Sequence, residues 1–338
     1  MPGKGEKIDN KDRYLNIAFD RAREVASQET RFRVCEDIVY KQGNNNRVVR
    51  GYFNDRPAVL KYYDDRIKPG ASKRKSREVF FLRHAEKSKV TPRLLGDLGD
   101  CIIMDELEGD PLEERFNQQP GSNSEWLQQV GNGMGTGYAR LANTQLSERH
   151  LIEYQSAFDD GRTLEFISEG FMERATEICE SVPELKRYKE RIDSVRKHLP
   201  HVLKEQRTLY KYDNNLGNVI VNENGFVGFI DFEECYVGTE TIYLGAIFDC
   251  LHKIPWHTPD LHVYECPTWE SIKQGYEKET GSIIDDRRFV EIVAMSLLNA
   301  CRRIVDTFER NSDFSFWVPR HQARLDALGA ALDRKAPL

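Results

Sequence analysis

The sequence predicts an α+β protein: a small antiparallel sheet with one main helix, followed by a larger and mainly helical region. Three observations carry this. Between residues 31 and 66, short apolar and β-branched segments alternate with turn residues. From Pro111 onward, apolar residues recur at helical spacing. One β island, around residues 219–230, interrupts the helices.

Residues 12–28 read as an amphipathic helix with Leu15, Phe19, Ala22 and Val25 on one side. Arg31–Lys41, Arg47–Phe53 and Pro57–Tyr62 read as strands, separated by Gly43-Asn44-Asn45-Asn46 and Asn54-Asp55-Arg56. A helix is expected at Ser76–Lys87, then strands at Leu94–Leu98 and Cys101–Leu107 joined by Gly99-Asp100. Further helices are expected at 124–143, 163–181, 184–205, 239–252, 269–280, 285–309 and 319–333. The stripes Leu164-Ile167-Phe171-Ala175-Ile178 and Leu185-Tyr188-Ile192-Val195-Leu199 read as core contacts. Val219–Val221 and Phe226–Ile230 flank Asn224-Gly225, a strong hairpin signal. The implied organisation is an extension over 1–30, a sheet region over 31–110 and a helical region over 111–338.

Composition narrows the function. The formal net charge is −6, which gives no support for broad nucleic-acid or anionic-membrane binding. The seven cysteines are scattered, without a Cys-x-x-Cys pair, so buried reduced thiols are expected rather than a disulfide framework or a zinc site. The polar N-terminus is not a signal core, and no apolar run approaches the roughly 18–20 residues of a membrane helix. A cytoplasmic protein is the expectation; the oligomeric state is open.

The segment richest in chemistry is Lys211-Tyr212-Asp213-Asn214-Asn215-Leu216-Gly217-Asn218, followed by the hairpin and by Phe229-Ile230-Asp231-Phe232-Glu233. The hairpin folds the chain back, so Asn218 and Asp231 can converge. An amide oxygen and a carboxylate suit Mg²⁺, a hard ion that shares its shell with phosphate and water. Asp213, on the same loop, is placed to orient or deprotonate an attacking hydroxyl.

This pattern resembles the catalytic loop and metal-binding strand of the aminoglycoside phosphotransferase and choline kinase family, whose loop reads His-x-Asp-x-x-x-x-Asn. The resemblance implies a bilobal protein-kinase-like fold and an ATP- and Mg²⁺-dependent transfer of phosphate to a small-molecule hydroxyl, with GTP as an open alternative. It assigns Asp213 to catalysis and Asn218 and Asp231 to metal binding. Lys211 stands where the family usually has His, a residue that mainly supports the loop. Ala58-Val59-Leu60-Lys61 resembles the strand bearing the phosphate-binding Lys, and Glu78 matches its carboxylate partner. Ile102–Leu112 resembles the hinge, whose backbone at Asp105 and Leu107 would bond the adenine edge. The nucleotide-covering turn would be Gly43, Asn44, Asn45 and Asn46, since Gly and Asn tolerate unusual dihedrals.

The acceptor is expected to be small. Protein kinases place a long activation segment after the metal-binding Asp; here Asp231 runs almost at once into the helical pattern at Thr239. Glu233, Glu234 and Asp249 are candidate acceptor contacts, set against a reading as supporting carboxylates. The acceptor remains open among aminoglycosides, amino-alcohols, sugars and biosynthetic intermediates. The rivals are a catalytically inactive nucleotide- or partner-binding relative, a kinase of a protein or lipopolysaccharide sugar, and nucleotidyl transfer. His252, His257 and His262 do not have a recognised ligand spacing and read as loop histidines. Trp256, Tyr264, Trp269 and Trp317 read as core or lid aromatics, and Lys73-Arg74-Lys75 as a solvated face.

Overall fold

The computed structural model describes residues 22, 24–29, 31–39, 47–66, 69–118, 124–144, 146–158, 164–211, 213–251, 268–310 and 318–335. Most of the expected 12–28 helix, the Gly43–Asn46 turn, His252, His257, His262, Trp256, Tyr264 and Trp317 lie outside the described residues. The chain divides into two units: Met1–Glu108 with Gly228–Cys235, and Gly109–Val227 with Tyr236–Leu338.

The first unit is built on a five-stranded antiparallel sheet in the order β1-β2-β3-β5-β4. Its strands are β1 (Phe32–Val39), β2 (Arg47–Phe53), β3 (Arg56–Tyr62), β4 (Leu94–Leu98) and β5 (Cys101–Asp105). The turn between β2 and β3 is two residues long, with φ of 49° at Asn54 and 63° at Asp55. Positive φ at both central positions matches the right-handed twist of the strands it joins, and Asn and Asp tolerate it. Strand alternation then sorts the side chains. Val49, Phe53, Ala58, Leu60, Tyr62, Cys101 and Ile103 enter one apolar core with Phe32 and with Ala22 and Ala26 of a preceding helical turn. The opposite face carries Lys61, as the period of two requires.

The helix Ala71–Ala85 begins five residues before the sequence-based start at Ser76. Gly70 enters it at φ 81°, and its first turn has no acidic residue. Lys73-Arg74-Lys75 therefore lies within a helix whose positive end they oppose, which hides the start from a reading based on capping. Lys75 pairs with Asp97.

The second unit is helical apart from two small sheets, one of β7 (Arg207–Lys211) with β10 (Cys235–Thr239), the other of β6 (Asp110–Pro111), β8 (Val219–Asn222) and β9 (Gly225–Phe229). The expected helices are present, with one change. The 184–205 stretch is a 3₁₀ segment, Pro183–Tyr188, followed by the helix Lys189–Val202. Two further helices, Leu112–Gln118 and Glu148–Phe158, carry patterns too short to read. Within the two core stripes Ala175, Ile178, Leu185, Tyr188, Ile192, Val195 and Leu199 are buried. The helix Glu240–Leu251 is buried on all sides from Thr241 to Cys250, so it forms the centre of the unit. Five of the six described cysteines are buried, and all six are free. Among the described residues no helix is long and apolar enough to cross a membrane.

Glycine lets two helices cross closely. A Cβ on Gly135, in the helix Ser124–Ala142, would lie 1.9 Å from the Ile272 carbonyl oxygen of the helix Trp269–Thr280. A Cβ on Gly275 would meet the Asn132 carbonyl at 2.0 Å in the other direction. Backbone cannot retreat as a flexible side chain can, so Gly135→Ala should destabilise the protein by about 1–3 kcal/mol. Denaturant unfolding at constant m-value measures this; an unchanged midpoint would show that the helices separate without cost.

Candidate active site

Lys61 is at the centre of the first unit's polar cluster. It is 5% exposed, and its ammonium donates to Glu78 Oε2 at 2.8 Å and to Asp231 Oδ1 at 2.6 Å. Glu78 comes from the helix Ala71–Ala85 and is fully buried. The same Glu78 oxygen accepts from the Tyr63 hydroxyl, and its Oε1 accepts the Phe232 backbone N–H at 3.1 Å. One carboxylate thus holds a lysine, a phenol and the backbone that follows Asp231. Burial works against the Lys61 charge, but Asp231, Glu78 and Glu233 outweigh it and raise the pKa above its ordinary value. Burial and the Glu78 charge raise the Tyr63 phenol well above its usual value, so it stays a donor.

Asp231 has φ of 61°, an uncommon conformation for a residue with a Cβ. Its surroundings hold it there: Phe229 N–H bonds the Val90 carbonyl at 2.8 Å, Phe232 N–H bonds Glu78, and the Phe232 ring stacks on Phe81 at 4.5 Å. Such backbone strain is typical of sites where a side chain must be aimed. These contacts also explain why Gly228–Cys235 groups with the sheet, although it follows much of the helical unit in the chain. Gly228 fits closely, since a Cβ there would lie 2.8 Å from both Leu107 Cδ1 and the Val90 oxygen.

At the end of β5, the Asp105 N–H donates to the Arg93 carbonyl at 2.9 Å and the Glu106 N–H to the Pro57 carbonyl at 3.2 Å. The Asp105 carboxylate meets Arg93 Nε at 3.1 Å. Arg74 lies 3.9 Å from Glu233 and 3.7 Å from Glu234; Glu233 is buried and Glu234 half-buried.

In the second unit, the loop after β7 brings Asp213 and Asn218 together. Asn218 Nδ2 donates to Asp213 Oδ2 at 3.1 Å and to its backbone oxygen at 3.3 Å. Asn214 braces the loop: its Nδ2 donates to the Lys211 carbonyl at 3.0 Å, and its own carbonyl accepts from Cys250 Sγ at 2.6 Å. Lys211 is fully buried. Tyr138 is close enough that, after burial, the Cys250 and Asp213 charges add to the rise in its pKa.

In the first unit Asp231 offers a carboxylate with a 31% exposed side chain, and in the second Asn218 carries an amide oxygen; both are oxygen donors of the kind that Mg²⁺ takes. Among the described residues no group of three or more His, Cys, Asp or Glu could hold a metal alone. An ion that takes one or two protein oxygens and completes its shell with phosphate and water needs no such group.

Asp249, a candidate acceptor contact, is 1% exposed and accepts from Arg324 Nε at 2.5 Å, with Arg303 Nε at 3.6 Å. Its charge is matched inside the helical unit. The sequence reading did not single out Tyr63, Asn214 and Cys250, which hydrogen-bond Glu78, the Lys211 carbonyl and the Asn214 carbonyl respectively. Asn214 was adjacent to a named residue, whereas Tyr63 and Cys250 carried no local signal.

The model of a phosphotransferase enzyme family matches residues 38–242. No curated protein matches the chain significantly. Among solved structures, an ethanolamine kinase of Plasmodium vivax is 13% identical with a TM-score of 0.59, covering 90% of this chain and 83% of that one. A choline/ethanolamine kinase family protein of Mesorhizobium loti is 13% identical, TM-score 0.57, with 96% and 95% covered. The ADP-bound aminoglycoside phosphotransferase APH(2'')-Ib is 15% identical, TM-score 0.56, with 92% and 97% covered. These likenesses show the kinase-like α+β fold.

Two outcomes follow from the buried charges. Glu78→Ala leaves Lys61, Tyr63 and Phe232 N–H without their shared acceptor and should cost about 3–5 kcal/mol of stability; in urea unfolding, a loss under about 1 kcal/mol would class the pair with surface ion pairs. His321 is 2% exposed; burial and the neighbouring Arg324 and Arg303 lower its pKa to about 4. The folded value lies below the unfolded one of about 6.5, so the neutral ring contributes stability above pH 6.5 that is lost as pH falls towards 4. His321→Phe should flatten that decline in unfolding free energy, and an unaltered pH profile would assign the decline to other groups.

Proposed function

The chain belongs to the phosphotransferase enzyme family, and from that we propose that it transfers the γ-phosphate of ATP to a hydroxyl of a small molecule. The observation that carries this reading is the Lys61–Glu78 pair at 2.8 Å with Asp231 on the same ammonium. A buried lysine fixed by a carboxylate on one side and facing a metal-binding aspartate on the other is an arrangement suited to neutralising non-transferred phosphates.

In this reading Lys61 takes the α- and β-phosphates, and Glu78 keeps its ammonium in place. Asn218 and Asp231 are the proposed oxygen ligands of Mg²⁺, which supplies charge neutralisation on the phosphate oxygens. Asp213 receives the acceptor hydroxyl, aligns its oxygen with the γ-phosphorus and accepts the proton late in the transfer. The Asp105 carbonyl and the Leu107 N–H are proposed for the purine edge, because the Asp105 N–H is already bonded to Arg93. Gly43, Asn44, Asn45 and Asn46 are proposed to cover the phosphates. Most of the acceleration would come from positioning and charge. GTP is the alternative donor.

A small acceptor is supported by the chain after Asp231. Cys235–Thr239 forms β10, which passes directly into the helix Glu240–Leu251. That leaves little chain for a peptide-docking segment. The named activities of the similar structures point to amino-alcohols and aminoglycosides as the first acceptors to try. Of the candidate acidic contacts, Glu234 is the half-buried one and the one proposed to reach a cationic acceptor.

Asp213→Asn keeps the size of the side chain and removes its basicity. It should lower kcat by about 100-fold or more while nucleotide affinity stays within a factor of about two. The measurement is phosphate transfer from labelled ATP to an acceptor panel, with nucleotide affinity by calorimetry. Near-native turnover of the variant would remove Asp213 from this role.

A further inference from the structure

The sheet face that carries Lys61 has a second charged residue. In the antiparallel register Val48 lies opposite Lys61, and Arg50 opposite Val59. On the other side Lys61 faces Ile102, and Val59 faces Met104. Directly opposed residues share a face, so Lys61, Val48, Val59, Arg50, Ile102 and Met104 form one surface, away from the apolar core on the sheet's other side. Ile102 and Met104 are buried, while Val48, Arg50 and Val59 are half-buried. The surface is therefore an apolar floor that is open in part, with a cation at each end.

Distance along the strand assigns the two cations different tasks. Lys61 lies at the far end of β3, whereas Ala58 is opposite Asp105, where β5 ends. Val59 is two residues from Lys61, about 7 Å, which is the scale of a ribose and its first phosphate. A nucleotide with its phosphates on Lys61 and its base edge on the backbone at Asp105 and Leu107 lays the base over Val59 and Met104. Arg50 is the cross-strand neighbour of Val59. Its guanidinium is paired with the Glu106 carboxylate, next to Asp105 in the chain, with side-chain exposures of 24% and 19%. That pair pulls the arginine towards the base and away from the phosphate end. A planar, weakly hydrated guanidinium stacks readily on an aromatic face, which a lysine ammonium does less well.

We propose that Arg50 is a nucleotide-base contact, its guanidinium held by Glu106 along the face of a purine seated on Val48, Val59 and Met104. The proposal rests on the nucleotide reading above. It makes Arg50 a determinant of affinity for the base, with no part in the transfer of phosphate.

The test compares magnesium AMP-PNP with inorganic tripolyphosphate, which has the phosphates and lacks the base. Calorimetry on wild type, Arg50→Ala, Arg50→Lys and Glu106→Gln gives the affinities. Arg50→Ala should bind AMP-PNP about ten-fold more weakly and tripolyphosphate within two-fold of wild type. Arg50→Lys should recover little, because the charge returns without the plane, and Glu106→Gln should fall between. Unchanged AMP-PNP binding by Arg50→Ala would overturn the proposal. Equal loss of both ligands would also overturn it, by placing Arg50 on the phosphates. Full recovery by Arg50→Lys would replace stacking with simple charge and overturn it too. A wild-type protein that binds AMP-PNP but transfers no phosphate would remove the kinase reading and leave Arg50 as assigned; one that binds no nucleotide would remove both.

Discussion

A lysine ammonium that is 5% exposed cannot stay charged without anionic partners, and the first unit is organised around that requirement. Glu78 meets it from the helix Ala71–Ala85 and Asp231 from the segment after the hairpin. The helix must therefore pack with Glu78 against the Lys61 face of the sheet. The Phe232 N–H, bonded to the same carboxylate, fixes the peptide next to Asp231. An uncommon φ at Asp231 is tolerated because both of its flanks are anchored. The arrangement is electrostatically crowded: three carboxylates act on one ammonium. A magnesium–phosphate ligand brings its own cation to such a cluster, so the excess negative charge suits the proposed use.

The legible part of the fold was the part governed by short-range rules. Strand alternation and the two-residue Asn54-Asp55 turn locate β2 and β3. The apolar stripes locate the Leu164–Ser181 and Lys189–Val202 helices. The start of the Ala71–Ala85 helix was misread because its first turn carries bases where a helix favours acids. Those bases find partners in space: Lys75 at Asp97, and Arg74 near Glu233 and Glu234. No local pattern encodes such pairing. The same holds for β7 and β10, five-residue strands whose apolar runs are too short to separate from buried helix by periodicity.

For the site, the order and spacing of motif residues were informative where single residues were not. Lys61 and Glu78 are each an ordinary charge when read alone; together they meet at 2.8 Å. Asp213 and Asn218 likewise come together at 3.1 Å. Asp249 shows the limit of the method. It is as buried as Glu78, but its partners, Arg303 and Arg324, come from two distant helices. Sequence position gave no sign of these two arginines, because the packing of those helices brings them to Asp249.

Arg50 extends this argument to specificity. The phosphates of every nucleotide are alike, so a cluster built around Lys61 selects for charge and not for the base. Base selection has to come from the other end of the same face, where β2, β3 and β5 bring Arg50, Val59 and Met104 side by side. Glu106 then has a role that sequence position alone would not suggest. It is a half-buried acid just past the end of β5, and the residue proposed to set which way a planar cation points. Division of labour between two paired strands follows from register: Lys61 of β3 faces Val48, and Arg50 of β2 faces Val59. A slip of one residue between β2 and β3 would put Arg50 and Lys61 on opposite faces of the sheet, so the hairpin turn that sets the register also sets the chemistry.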